Sequence, residues 1–243
     1  MLENEFSSVK KAVFLPGILS SYGNGWRMMW KFILELLLIT IVSFVLSIPT
    51  LGLSVQELVP VLSEYITIHL LLFEIEGPAA FYLLSIAYLI LIEWPLEYGV
   101  AFTMLKAARN EKPEVKNIFL VFKNYSNSVL ANLLTTLIIG IGFILLIIPG
   151  IVFACKLAFV PYLIVERKLD AVSAVKESWR MTSGHAFKLF IMGFLAFFVA
   201  LLGLLFLGVG ILISIIWIRV AFASLYFAVS SLEAKKTLVE ETE

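Results

Sequence analysis

VLANLLTTLIIGIGFILLIIPGIVFACKLAFVPYLIV, residues 129–165, decides the fold. One membrane span needs about 20 consecutive apolar residues, and this run is nearly twice that length. Pro149-Gly150 splits it near the middle, so it reads as two spans joined by a tight turn there. Working outward, residues 186–229 form a second long apolar run, broken by Gly203, Gly208 and Gly210, and fit two more spans. Residues 79–108 supply one span, and residues 32–48, ending at Pro49, supply the first. The sequence therefore predicts six spans. The polar lead before residue 32 is too long for the n-region of a signal peptide, and no small-x-small cleavage site follows the first run.

The composition agrees. Hydrophobic residues make up 61% of the chain and charged residues only 15%, with a mean hydropathy of +1.01. Soluble domains carry about 25% charged residues, so an ordinary water-soluble globule is excluded. Disorder and a coiled coil are excluded too. The single cysteine, Cys155, excludes an intrachain disulfide. Net charge is zero and names no partner.

Lysine and arginine placement sets the expected orientation. Lys10, Lys11, Arg27 and Lys31 precede the first span, and residues 50–78 have no basic residue. Lys106, Arg109, Lys112, Lys116 and Lys123 follow the second span, and the Pro149-Gly150 turn has none. Arg167, Lys168, Lys176, Arg180 and Lys188 follow the fourth, the next turn has none, and Lys235 and Lys236 lie in the tail. The positive-inside rule puts both termini in the cytoplasm.

Three further segments read as amphipathic helices. In residues 55–73, Val55, Leu58, Val59, Leu62 and Ile66 alternate with polar residues at helical spacing, which predicts a helix on the outer face or against the bundle. Residues 114–123 place Val115, Ile118, Phe119 and Phe122 on one stripe after Pro113. Residues 170–183 place Val172, Val175 and Trp179 opposite Lys176, Glu177 and Arg180, with Asp170 to cap the start and Gly184 to end the helix. The last two are predicted on the cytoplasmic surface. There Lys112, Lys116, Lys123, Lys176 and Arg180 would contact anionic headgroups. Trp26, Trp30 and Trp179 sit where interfacial aromatics are expected.

An internal repeat of three hairpins is suggested by a tetrad in each second helix: Gly99-Val100-Ala101-Phe102, Lys156-Leu157-Ala158-Phe159 and Arg219-Val220-Ala221-Phe222. Lys156 and Arg219 are the basic residues left inside spans. At ~1.5 Å per residue both sit ~15 Å from the cytoplasmic ends, and Glu93 and Glu97 sit ~20 Å and ~15 Å deep. An unpaired charge at the bilayer centre costs at least ~2.5 kcal/mol, so Glu93, Glu97, Lys156 and Arg219 are expected to form a buried cluster. Arg219 is the first choice of partner for the carboxylates, because its fork can hold both oxygens. Pro95 should bend the helix between the two glutamates. Such a cluster either locks helices together or forms a polar site, and Lys156 could instead snorkel.

Catalytic signatures are missing. The sequence shows no P-loop and no H-E-x-x-H motif. His69 and His185 fall on opposite predicted sides. Cys155 in an apolar span reads as a packing residue. No metal site and no cofactor are expected. The basic loops adjoin spans, which favours lipid headgroups over nucleic acid.

The order of features from Pro95 to Val229 carries a family resemblance. It begins with Pro95-Leu96-Glu97-Tyr98-Gly99 and a basic loop holding Phe119 and Phe122. Ile147-Ile148-Pro149-Gly150-Ile151 and Phe159-Val160-Pro161-Tyr162 follow, then residues 171–178, Gly184 and an aromatic span ending near Tyr226. This resembles a broad group of uncharacterised prokaryotic multi-pass membrane proteins, similar to the membrane domain attached to some glycerophosphoryl diester phosphodiesterases. The resemblance implies a fold and a membrane setting. No catalytic phosphodiesterase domain is read in these residues, so it implies neither an activity nor site residues.

The expected protein is all-α and integral to the membrane. Six transmembrane helices form three hairpins, with amphipathic interfacial helices. Residues 1–31 are a cytoplasmic segment, 32–230 the membrane domain and 231–243 a cytoplasmic tail, all at a prokaryotic plasma (inner) membrane. The expected function is a non-enzymatic scaffold or accessory subunit associated with envelope lipids or a partner protein. Its partners would be the lipid bilayer and anionic headgroups, with a protein partner or homo-oligomer left open and no nucleic acid. The alternative is a small secondary transporter or channel using the buried Glu/Lys/Arg cluster, and a membrane-embedded lipid enzyme is the third reading.

Overall fold

The computed structural model describes residues 16–50, 67–70, 73–206 and 209–240. Among the described residues, six helical segments are long and apolar enough to cross a membrane: Ile33–Thr50, Tyr82–Ala108, Val115–Leu145, Ile147–Glu166, Ala186–Leu205 and Gly210–Lys236. The chain is a multi-pass membrane protein.

Helix α1, Ile18–Lys31, precedes the first span. Its buried face, Ser21, Tyr22, Asn24, Gly25 and Met29, carries few large apolar side chains. It meets the last helix instead through close backbone approach, since a Cβ on Gly25 would stand 3.0 Å from the Ala221 nitrogen. Residues 18–31 therefore pack directly on the last helix. Helix α2, Ile33–Leu46, is the first span and buries Leu36 and Ile39.

Residues 55–66 of the predicted outer helix lie outside the described residues. Its end is not helical. Strand β1, Thr67–Leu70, pairs antiparallel with β2, Phe73–Glu76, in register Thr67↔Glu76 and Leu70↔Phe73.

Helix α3, Gly77–Tyr88, continues through a π-helical turn, Leu89–Glu93, into α4, Trp94–Ala108. The cause is Pro95, which has no N–H to offer the carbonyl four residues back and whose ring crowds it. That carbonyl, Leu91, accepts the Tyr125 hydroxyl at 2.7 Å instead. The Trp94 N–H bonds to Leu89 O, the wider spacing of a π-turn. The bend predicted at Pro95 is thus a widened turn just before it.

Residues 115–124 form a 3₁₀ helix, Val115–Asn124, and not the predicted α-helix. Side chains three apart eclipse in a 3₁₀ helix. Ile118 and Val121 are consequently buried, while Phe119, Phe122 and Tyr125 stack outward as one column with centroids 6.3 and 5.7 Å apart. The predicted single stripe splits in two. This element lies directly on α4, where a Cβ on Gly99 would stand 1.8 Å from the Ile118 carbonyl oxygen.

Helix α5, Tyr125–Leu145, and α6, Ile147–Leu157, are joined at Leu146, which is extended at φ −168° and ψ 157°. The turn therefore precedes Pro149-Gly150, which occupies the first turn of α6, where a proline lacks no needed N–H. Gly150 lets the Phe143 ring close on the helix pair, since a Cβ there would fall 2.5 Å from it. Pro161 then interrupts the fourth span, which resumes as α7, Val160–Glu166.

Helix α8, Ala171–Thr182, starts at Asp170, whose carboxylate accepts the Ser173 N–H at 3.1 Å. It ends before Gly184, at φ +84°. Both features were legible in the sequence. Helix α9, Ala186–Leu205, and α10, Val209–Glu240, complete the fold. Gly203, Gly210 and Ser214 pack tightly between them. Helix α10 runs unbroken past residue 230, so the predicted tail begins as helix; at ~1.5 Å per residue its 32 residues measure ~48 Å.

The core is lopsided. Buried side chains crowd the end carrying Lys31, Arg109, Glu166 and α8, here the basic end. At the far end, Ile144, Leu145, Leu146, Ile147 and Ile148 are between 65% and 86% exposed, and Leu204, Leu205 and Phe206 are similarly open. The aliphatic residue of each repeat tetrad, Val100, Leu157 and Val220, is buried in that core.

Candidate functional site

Arg219 projects from α10 and Glu97 from the first turn of α4. Their side chains meet fork to fork, with Nη1 3.0 Å from Oε2 and Nη2 donating to Oε1 at 3.3 Å. This is the bidentate geometry that guanidinium planarity favours. Glu93 does not join it. One turn earlier, its Oε2 accepts the Thr50 hydroxyl at 2.6 Å. Ser43, Ser47, Glu93 and Glu97 line a narrow cleft between α2 and α4, floored by Leu96, Val100 and Ile118. The serine hydroxyls donate to carbonyls one turn back, Ser43 to Ile39 at 2.9 Å and Ser47 to Ser43 at 3.0 Å. The α2 polar stripe was missed in the sequence, although Ser43, Ser47 and Thr50 recur at helical spacing.

Lys156 is not part of the cluster. Its Nζ donates to the Ser183 hydroxyl at 3.1 Å and lies 5.6 Å from the Trp179 ring centroid. The four-carbon stem carries the ammonium toward the basic end, the snorkelling alternative. The remaining pair is not sealed either: the Glu97 side chain is 42% exposed and that of Arg219 37%.

A second ionic network lies at the basic end, and sequence reasoning missed it. Arg109, just past α4, pairs with Glu166 at the end of α7. The Tyr226 hydroxyl of α10 donates to the other Glu166 oxygen at 2.6 Å. Tyr226 stacks on Tyr162 at 4.7 Å, and the Arg109 guanidinium lies 5.2 Å from the Phe227 ring centroid. Nearby, Asn24 of α1 donates to Ala108 O at 3.0 Å and to the Ser224 hydroxyl at 2.9 Å, satisfying a terminal carbonyl of α4. Spans two, four and six are thus tied together at one level.

Helix α8 docks by its small polar face. Pro161 unsettles the backbone around Ala158, and Ser178 repairs it. Its hydroxyl donates to Lys156 O at 2.8 Å and accepts the Phe159 N–H at 3.2 Å. Ala171, Ala174, Met181 and Thr182 complete the buried face. Of the predicted apolar stripe, Val172 and Trp179 are left exposed, while Val175 is half-buried against the core.

The predicted headgroup residues divide. Arg180 is held by Glu177 at 2.8 Å and Glu233 at 3.1 Å, and Arg167 also contacts both acids. This Arg180 partner holds the Glu177 carboxyl below the ordinary carboxylate range. Lys116 pairs with Glu114 and lowers its pKa by the same means. Lys112 lies 4.0 Å from Glu35. Lys123 and Lys176 are exposed and form no ion pair among the described residues. Burial, with Lys188 nearby, pushes the His185 pKa down. Among the described residues no group of three His, Cys, Asp or Glu is placed to hold a metal ion.

No solved structure matches this chain. A family model does, that of a domain of unknown function, DUF7847, over residues 91–241. The match takes in both sides of the Glu97–Arg219 pair and all of Arg109, Glu166 and Tyr226, while α1 and α2, with Asn24 and Thr50, precede it. Because the match covers more than half of the sequence, the chain belongs to the DUF7847 family.

Proposed function

We propose that the protein is a non-enzymatic membrane scaffold or accessory subunit whose basic end rests on anionic headgroups. One observation carries this reading: α8 is bolted down by its small polar face and turns Val172, Trp179 and Lys176 outward. An amphipathic helix held that way presents its apolar stripe and its bases to an interface. The Phe119–Phe122–Tyr125 column, flanked by Lys116 and Lys123, presents the same combination. The commitments of the mid-span charges to Glu97–Arg219, Glu93–Thr50 and Lys156–Ser183 fit a structural role.

Each basic residue near an anionic surface contributes ~1 kcal/mol. Changing Lys112, Lys116, Lys123, Lys176 and Arg180 together to Gln should at least halve the anionic lipid co-purifying in mild detergent, measured by mass spectrometry. An unchanged lipid profile in a folded variant would sink the headgroup reading.

In the same proposal the spans form three successive hairpins at a prokaryotic plasma membrane, with both termini cytoplasmic. Single cysteines at Ser54 and Thr237, in a Cys155→Ser background, test the orientation. An impermeant thiol reagent on intact cells should label position 54 and spare position 237. The reverse pattern would overturn it.

The transporter or channel reading rests on a different observation, the partial exposure of Glu97 and Arg219. Ionisable groups at mid-span are functional candidates by default. Proton entry into proteoliposomes that disappears in Glu97→Gln would favour it over the scaffold.

A further inference from the structure

Helix α1 and the α9–α10 pair border an open groove with a volume of about 520 Å³. Trp26, Trp30 and Trp217 stand at one end, and Gly203, Phe206 and Gly210 at the other. The tryptophans form one cluster, with Trp26 4.9 Å from Trp217 and 5.6 Å from Trp30. The Trp217 indole N–H is spent on Tyr22 O at 3.0 Å. The one hydroxyl in the lining, Ser214, donates to Val199 O at 3.1 Å. With those groups committed, the groove offers little except hydrocarbon, and what enters it must be apolar. From Gly210 to Trp217 it follows α10 for ~10 Å at ~1.5 Å per residue, so the guest is elongated.

The tryptophan end carries a charge. Leu19, Gly23, Trp26, Arg27 and Trp30 share one helical stripe on α1, and all are exposed. Arg27 therefore stands in the same row as the two indoles at the mouth of the groove. It forms no ion pair among the described residues. A Cβ on Gly23 would meet nothing within 4 Å, so the space beside Arg27 is open. An apolar trough with indoles at its rim and, beside them, a guanidinium that pairs with none of the described residues matches one chemistry: a fatty acyl chain attached to an anionic headgroup. Arginine pairs well with phosphate oxygens.

We infer that this groove is a binding site for a single anionic phospholipid, one acyl chain lying from Trp30 toward Phe206 and the phosphate at Arg27. The site uses α1 and neither α8 nor the 3₁₀ element, so it stands apart from the headgroup surface proposed above.

Tryptophan quenching tests it. The full chain carrying Trp94→Phe and Trp179→Phe keeps only the three groove indoles. It is reconstituted in phosphatidylcholine vesicles containing a minor fraction of lipid brominated on its acyl chains. Brominated phosphatidylglycerol should quench at least twofold more than the same fraction of brominated phosphatidylcholine. Arg27→Gln should remove that excess, and Arg27→Lys should keep most of it. Equal quenching by the two lipids in the parent would overturn the proposal, leaving a face bathed by bulk chains or covered by residues 1–15. An excess that survives Arg27→Gln would overturn the assignment of the phosphate to Arg27. Position 27 is exposed, and an unchanged melting temperature confirms that each variant is folded.

Discussion

Gly99→Ala should cost ~3 kcal/mol or more, the upper range of overpacking penalties, because no side chain can yield to relieve it. The added methyl would stand 1.8 Å from the backbone oxygen of Ile118, so the whole 3₁₀ element must lift off α4. Ile118 and Val121 would then lose their burial. The measurement is thermal unfolding in detergent beside Gly193→Ala. A Cβ at Gly193 meets nothing within 4 Å, and replacing a mid-helix glycine by alanine is worth up to ~1 kcal/mol of added stability. The two variants should shift the melting temperature in opposite directions. A Gly99→Ala protein that melts like the parent would show that the 3₁₀ element does not rest on α4 in this way.

Arg219→Leu should be nearly as damaging. Removing one partner of a buried pair strands the other charge, at ~3–5 kcal/mol. The partial exposure of both side chains places this pair at the low end, ~3 kcal/mol. Adding Glu97→Gln should restore much of the loss, since removing both charges of a pair is often close to neutral. Glu93→Gln should not rescue, because Glu93 is committed to Thr50. Expression level and melting temperature of the single and double variants read this out. Rescue by Glu93→Gln and not by Glu97→Gln would reverse the assignment.

Much of this architecture was legible in the residues. Apolar run length located all six spans, because the demand for uninterrupted hydrocarbon is local, but not every end: the third segment begins at Val115 rather than 129, and the last continues to Lys236. Asp170 and Gly184 announced the ends of α8 for the same reason: capping and a positive φ depend on the residue itself. Arg219 could be matched to a carboxylate by depth, since charges at mid-span need partners. Depth counting gives no angle around the helix, however, and Lys156 shares a level with Arg219 while projecting elsewhere. The choice between 3₁₀ and α at residues 115–124 was also closed to sequence, because Val115, Ile118 and Val121 fit a three-residue period while Val115, Ile118 and Phe122 fit a 3.6-residue one, and both sets are apolar. Helix α1 was missed because its contact face mixes Tyr22 and Met29 with Ser21, Asn24 and Gly25, which bind by proximity and hydrogen bonds and dilute the apolar signature. The Arg109–Glu166–Tyr226 network joins residues distant in sequence whose separate positions read as ordinary loop and span ends.

The lopsided core has a mechanical consequence. A span whose apolar length differs from that of the bilayer adapts by tilting, or the bilayer deforms around it, at a fraction of a kcal/mol per ångström of mismatch. At the basic end the helices are cross-braced by Asn24, Glu166 and Ser178 and can adapt only together. At the far end, among the described residues, the α5–α6 and α9–α10 tips are largely exposed and lack such bracing, so they are freer to lean. A change in membrane thickness would therefore be absorbed almost wholly by one leaflet's half of the protein, while the other half keeps its shape.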